Sequence, residues 1–173
     1  MKTIAVPFLL LALSISLNAQ DTLKHYNPAV ITPIATEYAD NEGYYTGHND
    51  YGDEEFAEKY EVESGNVLGV LAIHTGTAGT STMNASYTIY QVGSNGLPGT
   101  QSATKNVANN NIPIDGSAHV VLFDNTVAVS QQFFVAFGLG DYSHTNPGTK
   151  RIAITHSPDG TRPATDTTFV RNA

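Results

Sequence analysis

The chain has neither cysteine nor tryptophan, and only eight of its 173 residues are lysine or arginine. Without thiols no disulfide can staple the fold, so stability must come from a packed core or from a bound ion. The scarcity of cations speaks against nucleic acid as a partner, because phosphate binding needs clustered Lys and Arg, and against anionic membrane surfaces for the same reason. Long apolar runs are missing too. The longest, Ile4 to Leu17, has fourteen residues, two of them Ser14 and Ser16, where a membrane-spanning helix wants about 20.

That run sits in MKTIAVPFLLLALSISLNAQ, between Lys2 and the small-residue site Leu17-Asn18-Ala19. A positive start, a short apolar stretch and a small-residue cleavage site mark a secretory signal peptide over residues 1–20, with an uncleaved anchor as the other reading. No cysteine follows it, which excludes lipoprotein acylation at a new N-terminus. The protein is therefore expected to be secreted, extracellular or on the cell surface, with the periplasm as the alternative. No membrane insertion is expected once the signal is removed.

What remains is roughly 150 residues, enough for one domain that buries about 68–70% of its unfolded surface. Residues 21–38 carry two prolines and no periodic face, and read as an extended lead-in. Residues 39–173 read as an all-β domain, an antiparallel β-sandwich of jelly-roll type with about seven or eight strands. Thr82 to Val92 shows the pattern most clearly: Met83, Ala85, Tyr87 and Ile89 fall on one face and Thr82, Asn84, Ser86 and Thr88 on the other. Asn66 to Thr75 is apolar in both phases, as in a strand covered on both sides. Strands are also expected near 102–107, 118–123, 127–129, 132–139, 151–155 and 167–171. In the turn after Val92, Asn95-Gly96 supplies a positive φ, and Pro98-Gly99 suits the centre of a type II turn.

Charge is unevenly placed. Ten carboxylates lie between Glu37 and Glu63 against the single cation Lys59, while the rest of the chain beyond the leader balances six acids with six bases. Within this block Asp53 to Tyr60 has helix-forming residues and is expected to form one or two helical turns with Asp53 as N-cap. Asp40, Asp50 and Asp53, with Asn41, Glu42 and Asn49 nearby, offer the oxygens that calcium requires, although their spacing does not fit an EF-hand. The alternative is a solvated acidic loop. Tyr44, Tyr45, Asn49 and Tyr51 make the candidate ligand surface, since aromatic faces beside amide groups suit sugars and proteins alike. The competing reading packs these tyrosines against the sandwich edge, and the lack of tryptophan weakens the case for a sugar platform.

Catalytic signatures are absent. The six histidines show no metal-binding spacing and no HExxH, and no GxSxG occurs. His74, His119 and His156 fall at or near strand ends, where folding can gather them, so a hydrolase with a strand-end His and Asp site is the rival to a binding module.

Three stretches resemble a known family. Gly43, Gly47, Asn49, Tyr51 and Asp53; Tyr90 with Gly96-Leu97-Pro98-Gly99; and Phe123, Val127, Val129, Phe133, Phe134 and Val135 match the pattern of a β-sandwich module found in secreted proteins of Bacteroidota, many of which carry a type IX secretion sorting domain. The leader ending in Asn18-Ala19-Gln20 is similar to leaders of that phylum. The resemblance implies architecture and export, and no chemistry. The sorting domain is not in this sequence, so the chain is read as a piece of a longer protein. The expected function is a non-catalytic accessory or binding module whose partner is a polysaccharide or a surface protein, with no cofactor unless calcium binds. A structural, self-assembling extracellular protein is the further alternative.

Overall fold

The computed structural model describes residues 21–24, 27, 29–140, 148–158 and 168–172. The leader with its cleavage site, His25 and His144 lie outside them. Among these described residues six strands, all antiparallel to their neighbours, form one sheet: β1 (Asp53–Thr77), β2 (Asn84–Val92), β3 (Pro98–Ala108), β4 (Asp115–Gly138), β5 (Arg151–Ile154) and β6 (Thr168–Asn172). The order is β3-β2-β4-β1-β5, and β6 also pairs with β1. The expected all-β class is met. The separate strands expected at 118–123, 127–129 and 132–139 are one continuous strand, β4, because residues 123–126 stay in it as an irregularity of register opposite Leu68 and make no turn.

β1 and β4 make a long ribbon that runs from Glu55 opposite Gly138 to Thr75 opposite Asp115. Its register shifts at Val62/Ser64, at Val67/Gly69 and at Ile73/Thr75, and such bulges bend a strand and increase its twist. The bending brings the two halves of the ribbon face to face. Phe56 and Phe137 from the first half share a cluster with Ala72 and Val121 from the second, together with Tyr87 and Ile152. A second cluster joins Ile89 and Phe133 to Phe123 and Val127 near the bend. Tyr87, Phe134, Ile89, Ile112, Leu139 and Ile152 are all less than 2% exposed, and burying a large apolar side chain stabilises by about 1.5–3 kcal/mol.

Four sequence expectations need correction. Asp53 to Tyr60 is strand: flanked by β4 and by β6, it completes its hydrogen bonds laterally, and this outweighs the helical preference of its residues. Pro98-Gly99 opens β3, while the reversal lies at Gly93 to Leu97, where Gly96 has φ +79° and Gly93 N–H donates to Leu97 O at 2.8 Å. The second half of β1 is covered on one face only. Ala72 and His74 are buried, whereas Leu71, and its neighbours on the partner strand Val120 and Leu122, are 50%, 57% and 61% exposed. Finally, Met83 is exposed and Thr88 buried, so the alternation of β2 holds only from Ala85 to Ile89 and only for its apolar face.

The chain before β1 is not a loose approach. Ile34 exchanges backbone hydrogen bonds with His156, Ile154 N–H donates to Thr46 O while the Thr46 hydroxyl donates to Ile154 O, and His48 N–H donates to Ile152 O at 3.1 Å, so Ile34 lies beside His156 and residues 46–48 run along β5. Tyr44, Gly47, His48, Asn49, Asp53 and Glu55 are buried, while Glu37, Asp40 and Asp50 are exposed. The acidic segment is thus wet on one side and sealed on the other, where the sequence suggests a margin wet throughout. Among the described residues no helix is long and apolar enough to cross a membrane.

Candidate functional site

Two polar constellations stand out, one at the surface and one inside. The surface one grows from Asn49. Its Nδ2 donates to Tyr44 O at 3.0 Å and to Asp53 Oδ2 at 2.8 Å, and its Oδ1 accepts from Tyr51 N–H at 3.0 Å. One amide therefore fixes three points of the loop. His48 anchors the next residue back, accepting at Nδ1 from Ile152 N–H at 3.0 Å. Gly47 lets this seating happen, because a Cβ there would stand 2.5 Å from Ile152 O and 2.6 Å from Ala153 Cα. Asp40 and Asn41 hold positive φ of 58° and 62° in the 3-10 turn that leads in, a conformation Asn and Asp tolerate better than most residues.

On this fixed loop three tyrosine rings meet. Tyr38 lies between Tyr45 and Tyr51, with ring centroids 4.1 and 4.5 Å away and planes inclined at 60° and 48°. Tyr45 and Tyr51 are 45% and 52% exposed, so their outer faces are open to solvent. The Tyr51 hydroxyl donates to the Glu42 carboxylate. That bond pushes the Tyr51 hydroxyl up to about 12, with desolvation and the Glu42 charge adding to it. Burial raises Tyr38 too, with the Asp53 charge next in size.

Of the candidate ligand residues, Tyr45 and Tyr51 present faces, whereas Tyr44 and Asn49 are buried supports. Tyr38 is the member that sequence reasoning left out of this set. Its partners lie seven and thirteen positions along an irregular loop, a spacing with no periodic signal. Of the candidate calcium residues, Asp53 is buried against Asn49, and Asp40 and Asp50 are exposed. Among the described residues, no group of three His, Cys, Asp or Glu side chains gathers to hold a metal.

The interior constellation is His74, Tyr87 and His119. Tyr87 Oη lies 3.0 Å from His74 Nε2 and 3.4 Å from His119 Nδ1. Two arrangements satisfy both contacts; the one with His74 Nε2–H donating to the tyrosine oxygen and the tyrosine O–H donating to His119 avoids burying an unpaired N–H at His74 Nδ1. His74 Nδ1 then carries a lone pair, which fits its lack of a hydrogen-bond partner among the described residues. Burial, followed by the His119 and Lys150 charges, pulls His74 down to about 4. Burial also lowers His119 and raises Tyr87. The fold thus gathers two of the three strand-end histidines. His156 lies elsewhere, beside Thr36 at 3.1 Å. His74 and Tyr87 are both at 0% exposure, and this neutral set bridges the two halves of the folded sheet.

Set against known proteins, the chain matches no family model, no curated sequence and no solved structure.

Proposed function

We propose that the chain is an exported, non-catalytic binding module of an extracellular or cell-surface protein, and that the Tyr38, Tyr45 and Tyr51 surface is where it docks its ligand. The observation that carries this reading is the pairing of open aromatic faces with a sealed foundation. Tyr45 and Tyr51 are about half exposed, while Asn49 beneath them is at 0%. Solvent-facing rings gain little from stability alone, and a rigid loop binds with less ordering cost. Tyrosine faces suit the C–H faces of a sugar ring, and carboxylates such as Glu42 and Asp40 accept from its hydroxyls. Export, and kinship with secreted Bacteroidota modules, belong to this proposal through the leader and the three matching stretches.

The test is a glycan array probed with the purified chain and with a Tyr45→Ala/Tyr51→Ala double variant. We expect a hit that the double variant loses while its circular dichroism stays unchanged. A blank array, or an array on which every hit survives the double change, overturns the reading.

A second reading, assembly with other chains, has its own support in the apolar strip of Leu71, Val120 and Leu122. It expects concentration-dependent mass in analytical ultracentrifugation that a Leu122→Lys variant abolishes. A hydrolase is less well supported, because the His74 and Tyr87 polar atoms are sealed from any substrate.

A further inference from the structure

A different site lies at the bend of the ribbon, away from the tyrosine loop. Two adjoining clefts of about 940 and 550 Å³ share Gln91, Ser102 and Ala128 in their walls and so form one groove. Each is of the size that small-molecule sites occupy, about 300–1,000 Å³. Its apolar depth comes from the half-buried Val62, Val92 and Val129, backed by Ile89 and Phe133, which are 1% and 3% exposed. Its rim is made of amides and hydroxyls. Gln91, Gln101, Gln131 and Gln132 all stand exposed around it, with Ser102 and Ser130 between them.

The charge pattern narrows the ligand. Among the described residues no lysine or arginine lines either cleft, so none of them draws an anion there. Two of the carboxylates are already engaged, Glu61 by the Gln132 amide and Asp124 by the Lys105 ammonium. Amides both donate and accept, which matches the mixed hydrogen bonding of sugar hydroxyls, and the apolar depth matches sugar C–H faces. Backbone strain points to the same spot. Gln131 holds φ +56° opposite the register shift at Val62/Ser64, and a strained non-glycine residue persists where the surroundings over-determine it, often at ligand sites.

We propose that this groove is a second binding site, which takes a neutral oligosaccharide along its length. The inference does not depend on the tyrosine surface, and one experiment separates them. Isothermal titration calorimetry would use the purified chain with hexasaccharides of β-linked glucose, β-linked xylose, α-linked glucose and N-acetylglucosamine, with oligogalacturonate and an oligolysine peptide as charged probes. At least one neutral hexasaccharide should bind, and neither charged probe should. Gln91→Ala and Gln131→Gly should each weaken it by about tenfold, the scale of one lost hydrogen bond. Glycine relieves the positive φ, so loss in that variant is not misfolding. Tyr45→Ala/Tyr51→Ala should leave the affinity unchanged. The proposal falls if no neutral hexasaccharide binds, if oligolysine binds in preference, if both glutamine variants bind like the parent, or if only the tyrosine variant abolishes binding.

Discussion

Asn49 and His74 show how single polar residues hold this disulfide-free protein together. Asn49 is fully buried and serves Tyr44, Tyr51 and Asp53 at once. Asn49→Ala strands a buried carboxylate and a carbonyl, each costing about 1–3 kcal/mol when left unpaired. Urea unfolding should therefore show a loss of about 2–4 kcal/mol, and a loss within error of zero would refute the pegging role. His74 acts through pH. Its ordinary value is 6.5 and its folded value about 4, so between those limits the unfolded chain binds more protons than the folded one. Stability is then full above about 6.5 and falls as pH drops toward 4, by an amount on the order of 3 kcal/mol. His119, which faces the same hydroxyl and is also lowered by burial, pulls the same way. Lys150, whose charge also bears on His74, is itself lowered by burial. His74→Gln keeps a polar group toward Tyr87 without titrating, so urea midpoints of the variant should vary less between pH 7 and 4 than those of the parent. An equal slope in both would remove His74 from the account.

Elements are built by closeness that only some glycines permit. At Gly47 the loop lies on β5, with Ile152 O 2.5 Å from where a Cβ would stand; at Gly96 nothing lies within 4 Å and only the φ of +79° matters. Gly47→Ala should therefore cost about 1–3 kcal/mol as an overpacked contact, and Gly96→Ala about 1 kcal/mol for the left-handed conformation alone. Thermal unfolding that ranks Gly96→Ala as the worse change would show that the loop is not seated as described. The two positions also mark what was legible beforehand. The turn around Gly96 is written in local chemistry, as are the apolar alternation of Ala85, Tyr87 and Ile89 and the short strand at Arg151. The strand state of Asp53 to Tyr60 is not, since neighbours far along the chain impose it. Glu55, for example, is buried because Tyr90 donates to it at 3.1 Å and Arg171 approaches it to 3.7 Å. The Tyr38 contact and the meeting of His74, Tyr87 and His119 are equally non-local, so composition could nominate their residue types but not their partners.

For the whole molecule the decisive asymmetry is charge. A formal charge of −8 is carried almost wholly by the stretch from Glu37 to Glu63, which folding confines to one loop and the first half of β1. Opposing cations are few: Arg171 approaches Glu54 and Glu55 to 3.7 Å, and Lys105 pairs with Asp124 at a distance from this cluster in the sheet. The exposed pairs Arg171–Glu54 and Lys105–Asp124 contribute about 0–1 kcal/mol each, and the one buried partner, Glu55, meets a largely exposed Arg171, so repulsion within the acidic stretch outweighs them. Salt reduces the reach of that repulsion from about 30 Å at 0.01 M to about 8 Å at physiological strength. Sodium chloride should accordingly raise the thermal midpoint, and Lys59→Glu should make the rise steeper. Calcium should do no more than other salts at matched ionic strength, because Asp53 is engaged by Asn49 while Asp40 and Asp50 face solvent. A midpoint that falls with sodium chloride would mean that attractive pairs dominate. A rise specific to calcium and reversed by EDTA would mean that the acidic loop closes around an ion, and the tyrosine surface above it would then be organised by metal as well as by Asn49.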